Sequence, residues 1–115
     1  MGRPRRIETP VEKARRIRDL ILIRAGRTAL GLSQRDLARL VNLHYSALAR
    51  FESGHLRLKQ DHIDRIFDYF QKAGISHQDT DQGDLLIHLS GEGLNHLVKI
   101  DYAHDENDLT PRFRL

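Results

Sequence analysis

Cysteine is absent from this chain of 115 residues, which excludes disulfides and thiolate metal sites and fits a reducing cytosol. Long apolar runs are missing as well. The longest, Leu20-Ile21-Leu22-Ile23, is far short of the roughly 20 residues that a membrane-spanning helix needs. The basic start is not followed promptly by an apolar stretch, so neither a secretory leader nor a membrane partner is expected. The sequence also lacks a Gly-rich phosphate loop, a nucleophile motif and a clustered carboxylate pair. An enzyme is therefore not expected, nor is a cofactor. Seven histidines are present, and His88, His96 and His104 are evenly spaced. No His-x-His or His-x3-His pair accompanies them, so they read as surface or packing residues rather than zinc ligands. Hydrophobic residues make up 39% of the chain, enough for one small core, to which a second subunit would add.

What is present is unevenly distributed. Residues 1–74 hold 16 Lys and Arg against 8 Asp and Glu, whereas residues 75–115 hold 3 against 8. A basic part next to an acidic one argues for two jobs, phosphate binding in the first and something other than DNA contact in the second. Four segments are expected: a basic arm at 1–9, a helical domain at 10–75, a β element at 76–103 and an acidic tail at 104–115. In the domain, Thr9-Pro10-Val11-Glu12 reads as a helix start, with Thr as N-cap, Pro first and Glu third. Val11, Ala14, Ile17 and Ile21 recur at helical spacing, with Leu20 and Ile23 widening the stripe, so a helix is expected over about 10–29. Ile63, Ile66, Phe67 and Phe70 mark another over 61–73, which Gly74 stops and over which Ile75 can fold back. Ser76–Gly83 is polar and reads as a loop. Leu85, Ile87 and Leu89 then alternate, Gly91-Glu92-Gly93 looks like a turn, and Val98, Ile100 and Tyr102 alternate again. That pattern is a β-hairpin, with a short helix over Leu94–Ile100 as the alternative.

Residues 31–54, GLSQRDLARLVNLHYSALARFESG, carry the most information. Ser33 is suited to N-cap one short helix, and Leu37, Ala38 and Val41 form its inner face. Asn42 stands where left-handed dihedrals are wanted. Leu43 plugs the joint, Leu48 and Phe51 line the inside of a second helix, and Gly54 ends it. His44, Tyr45, Ser46, Ala49 and Arg50 are left on the outer face, a polar strip on a helix of the length that fits a major groove.

These residues resemble the helix-turn-helix of the Xre family, which includes the phage Cro proteins and lambda-type repressors. The likeness spans roughly residues 15–73. Its wording appears as Gly31-Leu32-Ser33-Gln34, Leu37-Ala38, Asn42-Leu43-His44 and Glu52-Ser53-Gly54, with Asn42 replacing Gly and His44 replacing Ser. The resemblance implies a mainly α fold, four helices of the lambda-repressor type, here with a short C-terminal hairpin or strand. It also implies a cytoplasmic protein of a prokaryote, phage or plasmid. Gln34 is expected to reach a phosphate from the start of its helix, with Arg35, Arg39, Arg57 and Lys59 as further phosphate anchors. Arg50 is expected to be the strongest base reader, and His44 to turn its imidazole toward a phosphate. Arg27 and Glu52 occupy the positions of a structural ion pair.

Gly2-Arg3-Pro4-Arg5 resembles the core of an AT-hook, so Arg3, Arg5 and Arg6 are candidates for a narrow minor groove. The function expected is a homodimeric repressor of double-stranded DNA. The alternative is an antitoxin that represses its own operon and holds a toxin through its acidic part.

Overall fold

The computed structural model describes residues 7–95 and residue 97. Helix α1 runs over Pro10–Ala29, α2 over Gln34–Leu40, α3 over Tyr45–Glu52 and α4 over Gln60–Lys72. Strands β1, Ile75–Asp79, and β2, Leu85–Leu89, follow. Residues 91–95 and 97 are helical and are called α5. The fold is thus mainly α, with a two-stranded antiparallel sheet after the helix-turn-helix.

The helix boundaries follow from capping chemistry. The Thr9 hydroxyl accepts from the Glu12 amide, and Pro10 opens α1 where a missing N–H costs nothing. Ser33 and Asp36 form a reciprocal capping box at the start of α2. Asp36 is held below the usual carboxylate range by the Ser33 hydroxyl and then by the Ser33 amide. At the other ends, the amide of the third residue past the helix returns to a carbonyl five back. These bonds are Leu32 to Arg27, Leu43 to Ala38 and His55 to Arg50, at 3.1, 2.8 and 2.8 Å. Each needs one left-handed residue, supplied by Gly31, Asn42 and Gly54 with φ of 67, 54 and 85°. Asn42 therefore does the work of the family's glycine.

Ile23, Leu37, Ala38, Val41, Leu48, Phe51, Ile63, Ile66, Phe70 and Ile75 form one buried cluster. Each fully buried large apolar side chain contributes about 1.5–3 kcal/mol, so the four helices hold together through this shared core rather than through propensity. The face that α1 turns inward differs from the expected stripe. Asp19, Leu22, Ile23 and Gly26 are buried, while Val11, Ile17 and Ile21 are 79, 40 and 50% exposed. The cause is Gly26: a Cβ built there would lie 2.5 Å from the Phe70 ring, so α4 approaches α1 along the line that Gly26 opens.

The hairpin also departs from expectation. Leu85–Leu89 is a strand, but it pairs backward with Ile75–Asp79, in the register Ile75 with Leu89, His77 with Ile87 and Asp79 with Leu85. Part of the supposed polar loop at Ser76–Gly83 is therefore β1. The link is a tight loop in which Thr80 donates its amide to the Asp84 carbonyl and accepts the Asp84 amide on its hydroxyl. Phe67 of α4 and His77 of β1 make a tilted ring contact at 4.9 Å between centroids, and Arg18 forks onto Asp79 from α1. Gly91-Glu92-Gly93 is not a turn but the opening of α5. Ser90 caps it by accepting the Gly93 amide at 3.0 Å, and Gly93 packs against Gly74 so closely that a Cβ on either would collide. The expected strand at Val98–Tyr102, the basic arm with Arg3, Arg5 and Arg6, and the acidic tail lie outside the described residues.

Candidate nucleic-acid interface

The interface is built on α3, whose two faces are chemically opposite. Leu48, Phe51 and Glu52 are buried. His44, Tyr45, Ser46 and Arg50 are exposed, and Ala49 is half-buried between them. The outer strip anticipated from sequence is thus assembled on one short helix.

Rigidity comes from the inner face. Glu52 is 2% exposed and accepts a forked pair of hydrogen bonds from Arg27 Nε and Nη2, the shortest at 2.8 Å. Arg27 Nη1 also donates to the Leu32 carbonyl, tying α1, α3 and the α1–α2 turn together. Arg24, not anticipated from sequence, donates to the Glu52 backbone carbonyl from the same face of α1. The available signal was the three-residue spacing of Arg24 and Arg27, which puts two guanidiniums on one side of a helix, opposite a helix C-terminus that favours cations.

At the other end of α3, His44 is the N-cap. Its Nδ1 accepts from the Ser46 amide at 3.3 Å and lies 2.8 Å from the Ser46 hydroxyl. The expected aim of the imidazole at a phosphate is therefore modified: one ring nitrogen replaces the serine oxygen of the family's cap. Accepting at Nδ1 leaves the proton on Nε2, so the ring keeps one donor. The Ser46 hydroxyl hydrogen is engaged with His44, which leaves that oxygen its lone pairs.

The phosphate candidates divide. Gln34 opens α2 and is half-buried, while Arg35, Arg39 and Lys59 are exposed. The Arg35 guanidinium carbon lies 4.2 Å above the Tyr45 ring, so a proposed anchor and a proposed reader touch. Arg57 is instead paired with Glu12 at 3.2 Å, at the first turn of α1. No helix among the described residues is long and apolar enough to cross a membrane.

The arrangement is two short helices crossing over a shared core, a left-handed residue between them, and a second helix whose outer face is polar. A family model described as helix-turn-helix matches residues 23–76. Residues 23–76 thus form a helix-turn-helix domain of the Xre type. The match supports a role in DNA-binding transcription regulation in general. No curated protein and no solved structure gives a significant match to the chain.

Proposed function

We propose that this Xre-type protein is a homodimeric repressor that reads an inverted-repeat operator by laying α3 in the major groove of each half-site. The observation that carries the reading is the division of α3, with Leu48, Phe51 and Glu52 locked inward and Tyr45, Ser46 and Arg50 outward. A helix held so firmly presents base-reading groups without first ordering them, which lowers the entropy cost of docking. His44, Ser46, Ala49 and Arg50 read bases, and Tyr45 stands beside them at the first position of α3. Gln34, Arg39, Arg57 and Lys59 serve the phosphates, with Arg57 acting from its place beside Glu12 at the first turn of α1.

One such helix covers only a few base pairs, so two related by a twofold axis are needed for adequate affinity. The acidic element at 76–103 is the proposed interaction region. Among the described residues its sheet has two strands, and an unpaired strand edge accepts a partner strand. Its charge keeps that face off DNA. Repression follows by occlusion of a promoter.

Selection from random duplex DNA with the full chain, followed by sizing of the complex, tests the reading. The expected result is an inverted repeat with half-sites about one helical turn apart and two chains per duplex. Affinity should fall by about three decades between roughly 50 and 200 mM salt if about six phosphates are engaged. Failure to prefer any duplex would overturn it. A chain that stays dimeric without residues 76–115, yet needs them to retain a second protein encoded beside it, would favour the antitoxin role, for which the acidic balance of that segment is the supporting observation.

A further inference from the structure

We propose that Arg35 reads a guanine base, with the Tyr45 ring as its platform, rather than serving as a phosphate anchor. The inference rests on the reading of α3 as the groove-bound helix. Arg35 is the second residue of α2 and Tyr45 the first of α3. The guanidinium carbon sits 4.2 Å from the ring centroid, well within the range of a cation–π contact. Both residues are exposed, Tyr45 at 38%.

Three consequences follow from the stack. The ring supports the guanidinium through its central carbon, so recognition is left to its N–H groups. Those groups form a rigid fork that matches the O6 and N7 acceptors of guanine, whereas a phosphate is served equally well by a loosely held charge. Second, the stack removes rotamer freedom before DNA arrives, which benefits a contact that must discriminate. Third, Arg35 has no ion-pair partner among the described residues, unlike Arg18, Arg27 and Arg57, which are paired with Asp79, Glu52 and Glu12. The first residues of a recognition helix approach the base edges, so Tyr45 stands where its passenger meets a base. Tyr45 is then a positioning residue, and its hydroxyl is dispensable.

The experiment uses the full chain and the duplex obtained by selection, with each guanine of a half-site replaced in turn by 7-deazaguanine, which lacks the N7 acceptor. The expected result is one guanine per half-site at which this replacement weakens the wild-type complex about tenfold or more. Arg35→Ala and Arg35→Lys should be weak on the unmodified duplex and indifferent to the replacement at that guanine. Tyr45→Ala should behave the same way, and Tyr45→Phe should keep the wild-type response. Melting of each variant controls for folding. If Arg35→Ala weakens binding to all duplexes alike, lowers the salt dependence by about one ion per half-site and leaves every guanine response intact, Arg35 is a phosphate anchor and the proposal fails. It also fails if Tyr45→Ala retains the response. A wild-type chain without preference for any duplex would instead refute the groove-bound α3, a distinct outcome.

Discussion

Arg27 clasps Glu52 with two nitrogens, Nε to Oε2 at 2.9 Å and Nη2 to Oε1 at 2.8 Å, and so fastens the last turn of α3 to α1. The carboxylate is 2% exposed and the Arg27 side chain 18%, so removing one member leaves the other charged and poorly solvated. Breaking such a pair from one side costs about 3 kcal/mol or more. Glu52→Ala is therefore expected to lower the urea midpoint substantially and to weaken DNA binding only as a consequence. Wild-type unfolding together with lost binding would show that Glu52 acts at the DNA instead.

The hydrogen bond between His44 and Ser46 carries a second expectation. Because Nδ1 accepts from the Ser46 amide, the Ser46 hydroxyl 2.8 Å away can only donate to it, so its oxygen is left as an acceptor, and the donors it meets in the major groove are the amino groups of adenine and cytosine. Ser46→Ala should relax one position per half-site that otherwise favours adenine or cytosine. His44→Ala should relax the same position and also cost about 1 kcal/mol of stability through the lost cap. His44→Asn should recover the stability. A position favouring guanine or thymine in the selected duplex would refute this polarity.

The helices were legible because their signals are local. Thr9, Ser33, Asn42 and Gly54 act on groups within a few residues of themselves, and α1 through α4 lie within a residue of where the pattern puts them. The facing polar strip on α3 and the Arg27–Glu52 pair were legible for the same reason, through residue spacing and family likeness. What escaped depends on tertiary approach. The inward face of α1 is set by Phe70 closing on Gly26, which no periodicity within α1 encodes. The pairing of Leu85–Leu89 with the segment before it is not legible, because Ser76, His77, Gln78 and Asp79 carry no apolar alternation. β1 is held by its ladder to β2 and by the tilted ring contact of His77 with Phe67. The two glycines of Gly91-Glu92-Gly93 read as a turn, although Ser90 caps a helix there and Gly93 lets α5 pass Gly74. The Arg35–Tyr45 stack bridges two helices and was equally invisible.

Gly26 supports a test of that tertiary approach. Alanine is favoured over glycine inside a helix by about 1 kcal/mol, so propensity alone says that Gly26→Ala stabilises α1. The added methyl would meet three Phe70 ring carbons at 2.5–2.9 Å, and overpacking of this kind costs roughly 1–3 kcal/mol. The clash is with a buried ring in the centre of the core, so the steric term is expected to win and the variant to melt below the wild type. Gly26→Ala combined with Phe70→Leu should regain part of the loss. A single variant that melts higher would mean that α4 shifts freely along α1.

Asp19 supplies the pH dependence. It is only 8% exposed on the inner face of α1, and burial raises its carboxyl above the ordinary value of 3.8, against the weaker pull of Arg18 and Arg15. Arg18 lies 3.7 Å away but is itself forked onto Asp79, so it compensates Asp19 incompletely. A folded-state value above the unfolded one means that the native chain holds this proton more tightly. The contribution of Asp19 to stability is therefore full below 3.8 and is lost as pH rises through the folded value, leaving a penalty at neutrality. Asp19→Asn keeps the shape without the charge and is expected to melt above the wild type at pH 7, with the difference shrinking in acid as the wild-type carboxyl takes up its proton. Thermal melts of both proteins from pH 3 to pH 8 check this. A variant less stable than the wild type at pH 7, with the gap closing in acid, would show that the Arg18 pairing outweighs burial and reverse the sign.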